Sequence, residues 1–400
     1  MPQLALATRA VHVGEHAAQA DYTPISTPVH NAVTFVYPDM ETLDAVFAGG
    51  RPGYIYSRFD NPTVVALETA LASLEETDAA VACSSGMAAL HLALLAAGAT
   101  SGHSVLAARD LYGGTYSLLT RILAPQGVAV HFVDLCDLEA AAQAMASASP
   151  SVVLAETLSN PLLCVPDLPA LTALAHSRGA RVVVDSTFAT PCIYRPATCG
   201  ADYVVHSATK YLGGHGDVTG GIIATSQANA QALRELRKLI GSVLGPNEAW
   251  LILRGLKTLV LRMREQCRNA LLVARHLQSD PRVSRVHYPA LPTHPTFATA
   301  RRLFPANLAG AIVSFEIRQD TQAAVFSFMD ALRLVMPATS LGDVTSLVLY
   351  PAHSSHRALS DQEKQLAGIT AGLVRLSVGV EEVADIISDL DQALMACEGR

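Results

Sequence analysis

Lysine is nearly absent from this chain. Only Lys210, Lys238, Lys257 and Lys364 occur among its 28 basic residues, so positive charge comes almost wholly from arginine, which stays protonated and cannot act as an amine nucleophile. The seven cysteines (Cys83, Cys136, Cys164, Cys192, Cys199, Cys267 and Cys397) form no Cys-x-x-Cys pair. That argues against a cysteine zinc site, and with no export signal at the start of the chain it points to reduced thiols rather than disulfides. No stretch approaches the ~18 to 20 uninterrupted apolar residues of a membrane span, and no Lys/Arg tract suggests nucleic acid. A histidine pair, His353 and His356, lacks a third ligand, so no metal is expected. These absences leave a soluble cytoplasmic protein whose partner is a small molecule.

Half of the 400 residues are apolar and the formal net charge is -7, enough to bury a substantial core in two lobes. From about Asp78 to Thr225, β-branched runs (AAVAC, SVLAA, AVHFV, SVVLAE, RVVVD, DYVVH, GGIIAT) alternate with Ala/Leu-rich segments such as MAALHLALLAAG. This alternation predicts a parallel sheet with helical crossovers. Residues 1–62 lack periodicity and read as an extended arm with one short helix. Residues 63–255 form the α/β domain and 256–400 an α+β lobe, entered by one long helical run after Asn247. The loop 289–310 reads as a mobile insert.

Polar groups gather at four strand ends. In VACSSGMAAL, Ser85, Gly86 and Met87 lie between a strand and a helix, an arrangement suited to an anion or simply to a Ser cap. RVVVDST ends in Asp185, a carboxylate that needs a cation or a capping role. AETLSNP carries Glu156 and Asn160, which also suit turn chemistry. SATKYLGGHGD sets Ser207 and Thr209 around Lys210, whose apolar setting disfavours the charged amine and makes it a usable nucleophile and base. An aldehyde cofactor with a phosphate and a protonatable ring would give each group a task, with Tyr112 available to stack on the ring. The same letters fit the S-x-x-K motif of β-lactamases, but the companion K-T-G and S-D-N elements are missing.

These motifs together with YSRFDNPT (Tyr56–Thr63), YGGT, DSTFATP, SLGD (Ser340–Asp343) and VRLSVGVE resemble the pyridoxal phosphate enzymes of cysteine and methionine metabolism, in order from about residue 20 to the C-terminus. That group includes the methionine and cystathionine γ-lyases, cystathionine γ-synthase and the homoserine-ester sulfhydrylases. The resemblance implies an α/β protein with the type I, aspartate aminotransferase-like fold, whose large domain has a mainly parallel seven-stranded sheet beside a smaller α+β C-terminal domain. It implies pyridoxal 5'-phosphate linked to Lys210, Asp185 at the ring nitrogen and Tyr112 over the ring. Ser85, Gly86, Met87, Thr187, Ser207 and Thr209 would surround the cofactor, and Tyr56 and Arg58 would reach the phosphate of a neighbouring subunit. Arg375 would grip the substrate carboxylate, assisted by Ser340 and Asn160. Homotetramers built as dimers of dimers are usual in the family.

Thr339, where cystathionine-handling relatives often have glutamate, and Asp343 favour a small, uncharged leaving group and hence methionine γ-lyase. Gly114, where methionine γ-lyases typically have cysteine, and Tyr350, in place of a usual histidine, keep cystathionine γ-lyase or a γ-replacement enzyme open.

Overall fold

A computed structural model describes residues 4–13, 24–357 and 360–397; residues 1–3 and 14–23 of the expected arm lie outside the described residues. The first sheet has seven strands, β1 (Ala79–Cys83), β2 (Ser104–Ala108), β3 (Ala129–Val133), β4 (Val152–Glu156), β5 (Arg181–Asp185), β6 (Tyr203–Ser207) and β7 (Gly221–Thr225), in the order β1-β7-β6-β5-β4-β2-β3. Their unbroken apolar runs match their burial: β1, β4 and β7 are buried along their whole length. Helices cover both faces, as a two-sided apolar sheet requires.

The sheet is not wholly parallel. β7 runs antiparallel to both neighbours, β1 and β6; the connection from Ala208 to Gly220 carries no helix of the kind that usually makes a parallel crossover, and it doubles back. The other six strands point one way. Their C-terminal ends therefore share one edge, where open α/β sheets bind ligands.

A second sheet, β8 (Val283–His287), β9 (Ile312–Ile317), β10 (Met336–Pro337), β11 (Leu347–Leu349) and β12 (Leu373–Ser377), has the order β10-β11-β12-β9-β8. β10 has only two residues, one of them proline, too short to announce itself by alternation. The helices Gln322–Ala331 and Val383–Met395 back this sheet and bury Val325, Phe328, Ile386 and Leu390 against it.

Three further features depart from sequence expectation. The segment read as one long helix is two, Pro246–Leu256 and Leu259–Ser279. Gly255 lies against the Lys210 loop so closely that a Cβ there would sit 2.2 Å from the Gly213 carbonyl oxygen, and Arg262 Nη2 takes the Gly255 carbonyl at 2.9 Å. That carbonyl is diverted from the helical ladder, and the helix breaks. The loop 289–310 is not without structure of its own: it holds the helix Phe297–Leu303, and His294 Nε2 and Thr296 Oγ bond Leu162 O and Val165 N, each at 3.0 Å. The arm carries two short helices, Leu6–His12 and Met40–Phe47, rather than one.

Beyond them the YSRFD segment is fixed by Arg237, a buried guanidinium that donates to Glu68 Oε1 at 2.7 Å, Asp60 Oδ1 at 3.0 Å and Phe59 O at 2.7 Å. None of the seven cysteines is in a disulfide.

Gly255→Ala should destabilise the protein by about 1 to 3 kcal/mol, since backbone rather than a flexible side chain must give way; a denaturant midpoint at unchanged slope is the measurement.

Candidate active site

The common edge of the six parallel strands opens into a cavity of about 420 Å³ closed on its far side by the C-terminal lobe. It gathers the expected residues from distant parts of the chain. Ser85, Gly86, Met87, Tyr112, Asn160 and Asp185 line it, as do Thr187, Ser207, Thr209, Lys210, Thr339 and Arg375. Ser340 meets it through Lys210, whose Nζ donates to Ser340 Oγ at 3.0 Å. Tyr56 and Arg58 are not brought there. Both are exposed, and Arg58 Nη1 donates to Lys238 O at 2.8 Å.

Ser85 caps the helix Gly86–Ala97: its Oγ accepts from Ala88 N at 3.1 Å and its carbonyl from Ala89 N. The Gly86 and Met87 N–H groups are left without an acceptor among the described residues, and they face the end of β6. A Cβ on Gly86 would lie 2.6 Å from Ser207 Cβ, so only glycine allows this approach. Thr187 Oγ accepts from Ser207 N at 2.9 Å and ties β5 to β6 at the same level. Thr209 Oγ exchanges hydrogen bonds with Gly220, donating at 3.2 Å and accepting at 3.0 Å. The cluster presents donors and no carboxylate, the setting for an anion.

Charge is distributed unevenly in this cavity. Burial, with Arg375 adding to it, pulls the Lys210 amine below its ordinary value. Burial likewise lowers Arg375 to about 10. Among the described residues Arg375 has no carboxylate partner; Nη1 donates to Asn160 Oδ1 at 3.0 Å, Nη2 to Ser340 O at 3.4 Å, and its buried Nε finds no acceptor there. Phe188 faces its guanidinium at 5.8 Å.

On the opposite wall, burial pushes Asp185 up although Thr187 hydrogen-bonds it, with Thr187 N 2.9 Å from Oδ1. Its strand partner Glu156 is pushed well up by burial and then by Asp185. The register places the two side by side.

Pyridoxal phosphate fits these residues on observations of this structure. Free N–H groups suit a phosphate, a carboxylate with its pKa raised by burial lacks the cation that a protonated ring nitrogen provides, and a depressed amine lines the same cavity. Sequence reasoning left Glu156 as turn chemistry and missed Thr115, Phe188, Ser354 and Ser355, all of which line the cavity. Phe188 lies within DSTFATP, three residues past Asp185, but nothing local shows that it faces Arg375.

The model of the Cys/Met metabolism PLP-dependent enzymes matches residues 7–395. The chain belongs to this family. Its relatives include the L-methionine gamma-lyases of Fusobacterium nucleatum, 42% identical over 98% of this chain and 99% of that protein, and of Pseudomonas putida, 41% identical over 98% and 97%. The solved cystathionine gamma synthase of Xanthomonas oryzae pv. oryzae, in complex with aminoacrylate and cysteine, superposes with a TM-score of 0.92 at 37% identity over 99% of both chains. The protein is thus a PLP-dependent enzyme of the type I fold, with the mainly parallel seven-stranded sheet and smaller second sheet described above.

Because its amine is depressed, Lys210 should be acylated by a limiting amine reagent at a midpoint pH below the ordinary lysine value of 10.5, and faster at pH 8 than the other three lysines. Peptide mapping of the cofactor-free protein across pH measures this; uniform labelling of all four would contradict the site's electrostatics.

Proposed function

We propose that the enzyme is a γ-lyase acting on L-methionine or a close thioether or thiol amino acid, releasing a thiol, 2-oxobutanoate and ammonia. One observation carries the choice: apart from Lys210, Arg375, Asp185 and Glu156, no charged side chain among the described residues of this chain lines the cavity. A substrate with a second charged end finds no counter-charge there, while a small uncharged substituent fits beside Thr339, Leu341 and Leu349. The similarity to methionine γ-lyases over the whole chain supports the same reading.

Pyridoxal phosphate supplies the electron sink that makes the α-proton of a bound amino acid removable. This chain supplies the rest. Gly86, Met87, Ser207 and Thr209 would hold the phosphate, with Ser85 and Thr187 fixing the strand ends around it, and Asp185 would keep the ring nitrogen protonated. Arg375 takes the substrate carboxylate in a two-pronged pair, with Asn160 and Ser340 orienting it. The Lys210 amine would take up the substrate's α-proton, pass that proton on within the bound substrate–cofactor pair and, neutral again, take a β-proton from the same face. The Tyr112 phenol gives its proton to the departing sulfur.

Residues 1–62 act as an arm carrying Tyr56 and Arg58 to a neighbouring subunit, 63–255 as the cofactor domain and 256–400 as the C-terminal domain. The working form is a cytoplasmic homotetramer, a dimer of dimers.

A second reading, cystathionine cleavage or γ-replacement on a homoserine ester, is favoured by Gly114. A Cβ there would lie 2.4 Å from the Tyr112 ring, so the cysteine found in methionine γ-lyases cannot accompany this placement of Tyr112.

Incubation with L-methionine, L-homocysteine, L-cystathionine and an O-acylhomoserine plus thiol, reading 2-oxo acid and ammonia, separates the two. Turnover of cystathionine or the ester alone would overturn the γ-lyase assignment. Arg375→Ala should raise KM about 100-fold, the loss of a charge-assisted bidentate pair. Borohydride should fix the cofactor to the Lys210 peptide of the wild type and to no peptide of Lys210→Ala.

A further inference from the structure

Tyr112 is 40% exposed, so packing alone does not hold the ring that the proposed chemistry relies on. The peptide plane just before it is itself held. That plane joins the Leu111 carbonyl to the Tyr112 N–H, and it is gripped at both ends. The N–H donates to Glu156 Oε1 at 2.8 Å, from β4 of the large domain. The carbonyl accepts from His356 Nε2 at 3.2 Å, from the C-terminal lobe.

A carbonyl can only accept, so His356 carries its proton on Nε2. Its Nδ1, 2.9 Å from Ser355 Oγ, is then free to accept the Ser355 hydroxyl proton. Burial, with Arg375 adding to it, pushes His356 down to about 4, so the neutral tautomer persists at working pH. The loop around it is compact: His356 N bonds Pro351 O at 3.0 Å, and Ser354 Oγ bonds Tyr350 O at 2.5 Å. Its fit to the turn is close. A Cβ on Gly113 would lie 1.9 Å from the Ser355 carbonyl oxygen.

We propose that Glu156 and His356 are positioning residues that clamp the Leu111–Tyr112 peptide plane between the two lobes and thereby aim the Tyr112 phenol at the leaving group. The proposal rests on the reading of Tyr112 as proton donor. The lobe that carries Arg375 also carries His356, so the grip on the substrate carboxylate and the aim of the acid are set by one placement of that lobe.

The test exploits the leaving group. A departing thiolate needs a proton and a departing carboxylate does not, so a misaimed acid harms elimination from L-methionine more than elimination from O-acetylhomoserine. His356→Leu, which keeps bulk and loses the donor, should lower kcat on methionine at least about 10-fold more than on the ester, within the range a general acid contributes. His356→Gln, whose amide can still reach the Leu111 carbonyl, should recover most of this. Hydrogen exchange of the full-length protein, with and without cofactor, should show faster exchange of residues 111–114 in His356→Leu.

Equal losses on both substrates, or unchanged exchange at 111–114, would overturn the clamp. Tyr112→Phe, run in parallel, separates the two claims. If it shows no leaving-group preference, the proton-donor reading fails and the clamp falls with it; if it shows one and His356→Leu does not, the clamp alone fails.

Discussion

Two like charges share one cavity. Lys210 is half-buried there and Arg375 buried, and among the described residues neither makes an ion pair; their partners are the neutral Ser340 and Asn160. Burial and mutual repulsion leave both cations under-satisfied. The cavity therefore has unmet demands that a ligand can meet: a carboxylate for the guanidinium, and a carbonyl carbon for an amine that sheds its proton more readily than an ordinary lysine. On the facing wall, Glu156 and Asp185 crowd two carboxyl groups together and favour keeping a proton there. Binding energy is available at each of these places because the protein's own groups leave these charges without ionic partners among the described residues.

That arrangement depends on the sheet. Six strands ending at one edge bring together residues as far apart as Gly86 and Ser207, and β7 turns back so that the Lys210 loop stays on that edge. Glycine at 86 lets the helix N-terminus meet β6, and glycine at 255 lets the helix Pro246–Leu256 press on the loop from outside. The C-terminal sheet then supplies Arg375 from β12. A cavity made by two sheets needs both in register, and the contact between Gly113 and Ser355 is one place where they lock.

Much of this was legible in the sequence because it is written locally. Strand patterns, the Ser-Gly turn at 85–86 and the lysine among glycines need only neighbouring residues to be read, and all seven strands of the large sheet fall where their β-branched runs stand. What was not legible depends on register or on contact between distant segments. The direction of β7, the break at Thr258, the packing of 289–310 against Leu162 and the pairing of Glu156 with Asp185 follow from tertiary placement that no window of sequence contains. His356 illustrates the limit. In the chain it is half of an idle histidine pair, and only the folded molecule brings it to the Leu111 carbonyl.

With four lysines in 400 residues, the chain offers a reactive aldehyde few wrong places to condense. Free pyridoxal phosphate attacks any exposed amine it meets, and a lysine-rich surface would titrate it away in slow, useless adducts. Here the surface is dressed in guanidinium groups, which keep the protein soluble and charged while remaining inert to aldehydes. Loading thus becomes a matter of address as well as affinity: the cofactor is steered to its pocket partly by having so few other doors to knock on.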